Sequence, residues 1–462
     1  MPFKYLNQII YNEDASLRDV LSDLGKWAEF LDNKGFGIIV DDDGKCKGVL
    51  TDGDVRRKVL KNVDLETPVK NVMNKDFIYV SVNDNYHHIL RQFDKDITIL
   101  PVIDLNGKLV DLYKYSEFVV SARNDLRIIR ARVPCRVSFS GGGTDMSSYI
   151  NKTPTSVLSA TINKYCTCSI IVGKDNKIYI SSKDLNLKYT AENYNDIELG
   201  DDLDLIKSSV KIMQPNFGFE LETHAEFAPG TGLGGSSAVV VSVLGALNYF
   251  RNEQQLDIYQ LADLAYQVER IDMRIKGGWQ DQYATAFGGF SWINFRKNEI
   301  IVNPLLLRKE TILELEYNLM LFRLGETRSS SEIQKSHISK IEKNSTNLDS
   351  FSEMTELSVK MKESLLKGEI KSFADFLHES WIIKQKINSS VSNDLVEECY
   401  NTARELGALG GKLLGAGGSG YLLIYSSPLY QKKIIEALAK KGVTQEIFKF
   451  SQDGLEVWST KK

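Results

Sequence analysis

The residues of this chain that could do chemistry gather in three glycine-rich loops and one short aspartate motif. The first loop, Pro134-Cys-Arg136-Val-Ser-Phe-Ser-Gly141-Gly142-Gly143-Thr144-Asp145, runs from a β-type stretch into consecutive glycines, a hydroxyl and a carboxylate. Glycines let a backbone bend closely around a ligand, and Thr144 with Asp145 offers acceptors suited to sugar hydroxyls. The same residues would also make a tight turn with Asp145 as a helix cap. In the second loop, Pro229-Gly230-Thr-Gly232-Leu233-Gly234-Gly235-Ser236-Ser237-Ala238, the glycines lead into the apolar run Val239 to Phe250. Free N–H groups at such a helix start form an anion cradle, and two hydroxyls beside them can reach a phosphate or a metal. The third loop, Gly407 to Gly420, holds seven glycines in fourteen residues. That density costs backbone entropy, so it implies close approach to a ligand or to another chain segment. Between the second and third lies Gly277-Gly278-Trp279-Gln280-Asp281-Gln282-Tyr283, where an aspartate follows a Gly-Gly turn in the manner of an active-site carboxylate.

Two familiar phosphate motifs are excluded for the second loop. Gly230, Gly232 and Gly235 satisfy G-x-G-x-x-G, but a dinucleotide site needs an acidic residue ending a strand about 20 positions on. Asp257 has that distance, yet Asp257-Ile-Tyr-Gln260 reads as a helix N-cap with its partner at N3. A P-loop would need a lysine after the glycines, and none follows Gly235. What remains is a phosphate loop of a third kind.

The elements that must position these loops divide the chain. At 462 residues it is long enough for two or three domains. In the N-terminal quarter Gly35–Lys45 recurs as Leu100–Lys108, with Gly44 against Gly107, an offset of 63. Each copy is a β-branched run, an Asp/Asn-Gly turn and a second apolar run, so each reads as a hairpin entering a helix. After a polar join near Ser121 to Leu126, a fresh strand spans Ile128 to Val137. Alternating strands (Thr167 to Gly173, Lys177 to Ser182, Gly218 to Phe227) then mix with amphipathic helices (Asp257 to Asp272, Glu353 to Lys367), an α+β pattern without βαβα regularity.

Composition narrows the function classes. Lys plus Arg is 57 and Asp plus Glu 61, a net charge of −4, with 42% apolar residues. Nucleic-acid binding would tilt this balance basic. No apolar run reaches the ~20 residues of a membrane span, and Met1 to Asn7 has no signal-peptide pattern, so a cytoplasmic protein is expected. Five cysteines without a C-x-x-C pair, and five histidines without ligand spacing, support neither disulfides nor a metal cage.

Two resemblances follow. Gly48-Val-Leu-Thr51-Asp52-Gly53-Asp54-Val-Arg56-Arg57 and its repeat resemble a tandem CBS pair over residues 1–120. That implies a nucleotide held by Thr51 and Asp54, and a dimer or higher homo-oligomer. In the second copy Lys114 and Glu117 replace this pair. In their order, the three loops resemble the GHMP sugar-kinase superfamily over about residues 126–460, as an N-terminal lobe at 126–330 and a C-terminal lobe at 331–462. The likeness is strongest to D-glycero-D-manno-heptose 7-phosphate kinases, through Arg136 to Asp145, Gly278 to Tyr283, Thr327-Arg328-Ser329, His378-Glu-Ser-Trp381 and Gly410 to Gly417.

By this resemblance Asp281 is the catalytic aspartate and Arg136 the cation near the transferred phosphoryl. Gly230, Gly232, Leu233, Gly234, Gly235, Ser236 and Ser237 lie over the ATP phosphates. Ser236 and Glu269 bind magnesium, with Gly235 standing where the family usually has a further serine. Gly142, Gly143, Thr144, Asp145, Arg328, Lys412 and Gly417 face the sugar, Arg328 being the favoured ligand for the sugar's own phosphate and Lys412 and Lys384 weaker ones. The implied reaction is ATP-dependent phosphorylation of heptose 7-phosphate at O1, feeding nucleotide-activated heptose for surface polysaccharide. A fucokinase-like kinase of an unphosphorylated sugar, and a non-catalytic nucleotide sensor working through the CBS pair, are the competing readings.

Overall fold

The computed structural model describes residues 5–31, 35–84, 86–93, 97–115, 128–173, 175–325, 348–415 and 417–460. The chain forms two compact units, Met1–Leu126 and Arg127–Lys462. Among the described residues no helix is long and apolar enough to cross a membrane.

In the first unit the sequence repeat becomes a structural one. Ile10–Asn12 pairs parallel with Phe36–Val40, which pairs antiparallel with Cys46–Thr51. Val80–Ser81, Ile99–Ile103 and Leu109–Lys114 repeat that order, down to a register shift near the end of each middle strand. The hairpin turns are set by Gly44 and Gly107, at φ 78° and 80°, values open to glycine and strained for other residues. The turns meet each other through a bridge between Lys45 and Lys108. Ile38, Val49, Ile99 and Leu112, two from each copy, share one buried cluster, so neither copy buries its apolar face alone. Thr51 caps the helix Asp52–Val59 and forms a capping box with Asp54, whose carboxylate also takes Arg57 at 2.7 Å. The helical stretch expected from Glu117 lies outside the described residues.

The second unit holds two sheets. A nine-stranded sheet is built around the 18-residue strand Thr155–Val172, with Ile128–Ser140, Phe219–Ala225 and Phe290–Arg296 all pairing with it. Its members also include Phe450–Ser451 and Glu456–Thr460 from the chain's C-terminal end. A four-stranded antiparallel sheet orders Ala408–Leu413, Tyr421–Ser426, Leu319–Arg323 and Thr444–Glu446, drawing strands from both sides of residue 330. The helix Gly235–Asn248 is apolar on every side, which suits an element buried on every side, and eleven of its residues are buried. Cys166 and Cys168 lie wholly buried on one face of the long strand.

Candidate active site

Strand Ile128–Ser140 delivers the first loop. A side chain at Gly141, φ 84°, would place its Cβ 2.2 Å from the Ser156 carbonyl oxygen, so the turn accepts only glycine. Thr144 is buried and its hydroxyl donates to the Gly141 carbonyl at 2.8 Å. Asp145 is not left open as a sugar ligand alone. Its Oδ1 accepts the Gly143 N–H and its Oδ2 the Gln280 N–H, both at 2.9 Å, which ties the first loop to the aspartate motif. Burial pushes its pKa up, with the neighbouring Asp281 charge adding to the rise. Gly278 is fixed by the same contact, since a Cβ there would lie 2.0 Å from Asp145 Oδ2. Trp279 stacks on Tyr266 with ring planes 7° apart and donates its indole N–H to Ser147.

From the same strand comes Arg136, only 3% exposed. Its Nε and Nη2 donate to Asp281 Oδ1 at 2.9 and 2.6 Å, and its Nη1 donates to the Gly232 carbonyl at 2.6 Å. Asp281 sits in the first turn of the helix Gln280–Phe287. One guanidinium thus joins the strand before the first loop, the crown of the second loop and the aspartate motif.

In the second loop Gly230, Gly232 and Gly234 all take positive φ, between 72° and 79°. Leu233 is buried beneath it, and Ser236 and Ser237 open the helix that follows. Both hydroxyls donate to Glu269, to Oε1 and Oε2 at 2.5 Å each, and Gln282 Nε2 donates to Oε2. Glu269 is wholly buried, with Arg270 as its cation at 3.8 Å. It lies not on a regular α-helix but in a wider π-helical turn, Gln267–Asp272, continuing Ile258–Tyr266. Such turns collect at functional sites. Carboxylate and hydroxyl oxygens are the donors a hard divalent cation takes, and Gln282 Oε1, buried beside them without a partner among the described residues, adds another. The residues present therefore fit magnesium.

The third loop leans on the second. A Cβ at Gly415 would fall 2.3 Å from Gly232 Cα, and one at Gly420 would fall 2.4 Å from the Thr231 carbonyl oxygen. Gly417 is crowded by the Val391 backbone at 2.5 Å, so its conformation serves packing inside the chain. Lys412, 2% exposed, donates to the Phe139 carbonyl at 3.1 Å, and Lys384 donates to the carbonyls of Leu413 and Gly415 at 3.0 and 2.6 Å. Burial, then the nearby Arg136 charge, lowers the Lys384 pKa to about 7; burial, Lys384 and Arg136 push Lys412 well below its ordinary value.

Arg328, with Thr327 and Ser329, lies outside the described residues. Of the other expected site residues, Arg136, Asp145, Gly232, Ser236, Ser237, Glu269 and Asp281 come together through the contacts above. Gln280 and Gln282 were missed by the sequence reading. Their signal was their position on either side of Asp281, one reaching Ser138 and the other Glu269.

Comparison with known proteins matches both units to known families. Residues 204–289 match the GHMP kinases N terminal domain, 361–444 the GHMP kinases C terminal domain, and 8–61 and 69–118 the CBS domain. A D-glycero-alpha-D-manno-heptose 7-phosphate kinase from Campylobacter jejuni is 35% identical over 343 residues, covering 72% of this chain and 99% of that protein. A bifunctional fucokinase/GDP-fucose pyrophosphorylase from Arabidopsis thaliana is 26% identical over 66% of this chain and 30% of its own. The crystal structure of a D-glycero-D-manno-heptose 1-phosphate kinase from Bacteroides thetaiotaomicron superposes with a TM-score of 0.61 at 28% identity, covering 72% of this chain and all of that one.

Proposed function

Because this chain belongs to the GHMP kinase family, and so is a phosphotransferase with an alcohol group as acceptor, we propose that it uses ATP and magnesium to phosphorylate D-glycero-D-manno-heptose 7-phosphate at O1, giving the 1,7-bisphosphate. The observation carrying this reading is the Arg136 guanidinium, which bonds Asp281 and the phosphate-loop carbonyl of Gly232 at once. It sets the acceptor's base against the donor's cradle.

Phosphoryl transfer leaves a protein little covalent chemistry, so positioning and charge neutralisation dominate. Asp281 Oδ1 takes both Arg136 donors and the Gln280 amide, which leaves Oδ2 to accept the proton of the sugar O1–H. As that proton leaves, the O1–P bond forms and the bond from the same phosphorus to the ADP oxygen breaks. Residues Gly230 to Ser237 hold the donor's phosphates on backbone N–H groups. Ser236 and Glu269 would hold magnesium, which when bound would neutralise phosphate charge. Gly142, Gly143, Thr144 and Asp145 shape the sugar side. We assign the CBS pair to nucleotide sensing and self-association, and the reaction to the cytoplasm.

ATP consumption by the purified protein should depend on the heptose phosphate. Asp281→Asn, which keeps an acceptor for Arg136 but weakens the base, should lower kcat by about 10²–10⁴-fold with an unchanged melting curve. Equal turnover in that variant would remove Asp281 from its role. Turnover of fucose in preference to the heptose phosphate would replace the substrate.

A further inference from the structure

We propose that Lys384 and Lys412, with the side-chain N–H groups of Trp381 and Asn388, form a second phosphate seat, which holds the acceptor sugar's own phosphate. The proposal rests on the reading above, in which the acceptor carries a phosphate of its own.

Trp381, Lys384 and Asn388 follow one another at i, i+3 and i+7 along and just past the helix Ile370–Ile387, so they share one face. Trp381 is wholly buried, and its indole N–H has no partner among the described residues; the Asn388 Nδ2 group is likewise buried and unpartnered. Folded proteins leave few such donors, and each calls for an explanation. Between them Lys384 spends two of its three N–H donors on Leu413 and Gly415, keeping the third. Beyond the helix the chain stays against the third loop, where Gly418 N–H donates to the Val391 carbonyl and Asn393 to the Gly418 carbonyl. From the sheet side Lys412 spends one donor on Phe139 and keeps two.

Charge points the same way. Among the described residues neither lysine has a carboxylate within ion-pair distance. Arg136 repels both lysines, and Lys384 adds its own repulsion to Lys412. Burial and repulsion together lower the pKa of both amines. Buried like charges persist only with a counter-ion or by giving up their protons. A phosphate dianion supplies the charge, and its oxygens accept the N–H groups left over.

The acceptor's phosphate fits better than the donor's. Gly230 to Ser237 already cradle the donor. Lys412 and Ser380 both donate to the carbonyl of Phe139, two residues before the first glycine of the sugar loop.

The full-length enzyme tests this through the ratio of kcat/KM for the heptose 7-phosphate to that for the same heptose without phosphate. Wild type should favour the phosphate by about 10- to 150-fold, the worth of one charged hydrogen bond. Asn388→Asp keeps the cap that Oδ1 offers to Ser390 N–H but turns the spare donor into an acceptor. It should cut that ratio about tenfold without lowering Tm, and Lys384→Met should bring it near unity. Inorganic phosphate should raise Tm in wild type and in neither variant. A rise in KM for ATP with the acceptor ratio intact would give the lysines to the donor and overturn the proposal. So would a loss of Tm in both variants with the ratio intact. If wild type turned over neither acceptor yet phosphate still stabilised it through Lys384, the seat would stand and the heptose reading would fall.

Discussion

Gly235 shows how a single residue departs from its family for a physical reason. The resemblance puts a further serine at this position, and its loss reads from sequence as a missing phosphate contact. In the fold a Cβ at 235 would lie 2.3 Å from Cε2 and 2.8 Å from Cδ2 of Phe227, the aromatic residue that precedes the loop. The ring occupies the space that a serine side chain would need, and Ser236 and Ser237 carry the hydroxyls to Glu269 instead. Gly235→Ser should therefore lower stability by about 1–3 kcal/mol, the usual cost of overpacking, rather than improve ATP binding. Combined with Phe227→Ala, the same substitution should recover part of that loss. Denaturant melts of the two single variants and the double variant measure the coupling, and additive losses would show that the ring is not the obstacle.

Among the elements, legibility followed the range of the interaction. The capping box of Asp257 and Gln260 was readable because its partners are three residues apart, and the fold reproduces it with both hydrogen bonds at 2.9 Å. The helix expected to continue to Asp272 instead leaves the α form after Tyr266 and widens to a π turn. Apolar periodicity carries no mark of that change, although it bears on how Glu269 meets Ser236. The seven glycines of the third loop announced close approach, but not against what, because the partner loop is remote in sequence. That partner is Gly232 and Thr231 of the second glycine-rich loop. Gly415→Ala would set a Cβ 2.3 Å from Gly232 Cα and adds strain at φ 72°. The two loops should part, moving the Gly232 carbonyl away from Arg136. The expected result is a fall of at least about tenfold in kcat/KM, the scale of a small misplacement at an active site, together with a lower Tm. A variant that lost stability alone would show that the contact does not position the site.

At the scale of the whole molecule, the chain joins a pair of CBS domains to a kinase, and the sequence repeat made the first unit legible as clearly as the loops made the second. What the repeat could not show is that Thr51 and Asp54, the expected nucleotide ligands, already bond each other. Thr51 Oγ1 donates to Asp54 Oδ2 at 2.7 Å and accepts the Asp54 N–H at 3.2 Å. Burial pushes the Asp54 carboxyl up, but the bonds from Thr51 and Arg57 outweigh it and hold it below the usual range. A nucleotide ribose would meet a carboxylate already oriented, with lone pairs to spare on each oxygen. Thr51→Val keeps the volume and deletes the hydroxyl, so it should cost about 1 kcal/mol through the lost cap; Thr51→Ser should restore it. If the pair also senses nucleotide, AMP added to the full-length enzyme should shift KM for ATP or for the acceptor by about fivefold, the lower end of ordinary allosteric coupling. The shift should persist in Thr51→Ser and vanish in Thr51→Val. Stability lost and regained across the series, with no AMP response in wild type, would leave Thr51 as a helix cap and the paired unit as an assembly module, whose dimer should then appear in sedimentation at any AMP concentration.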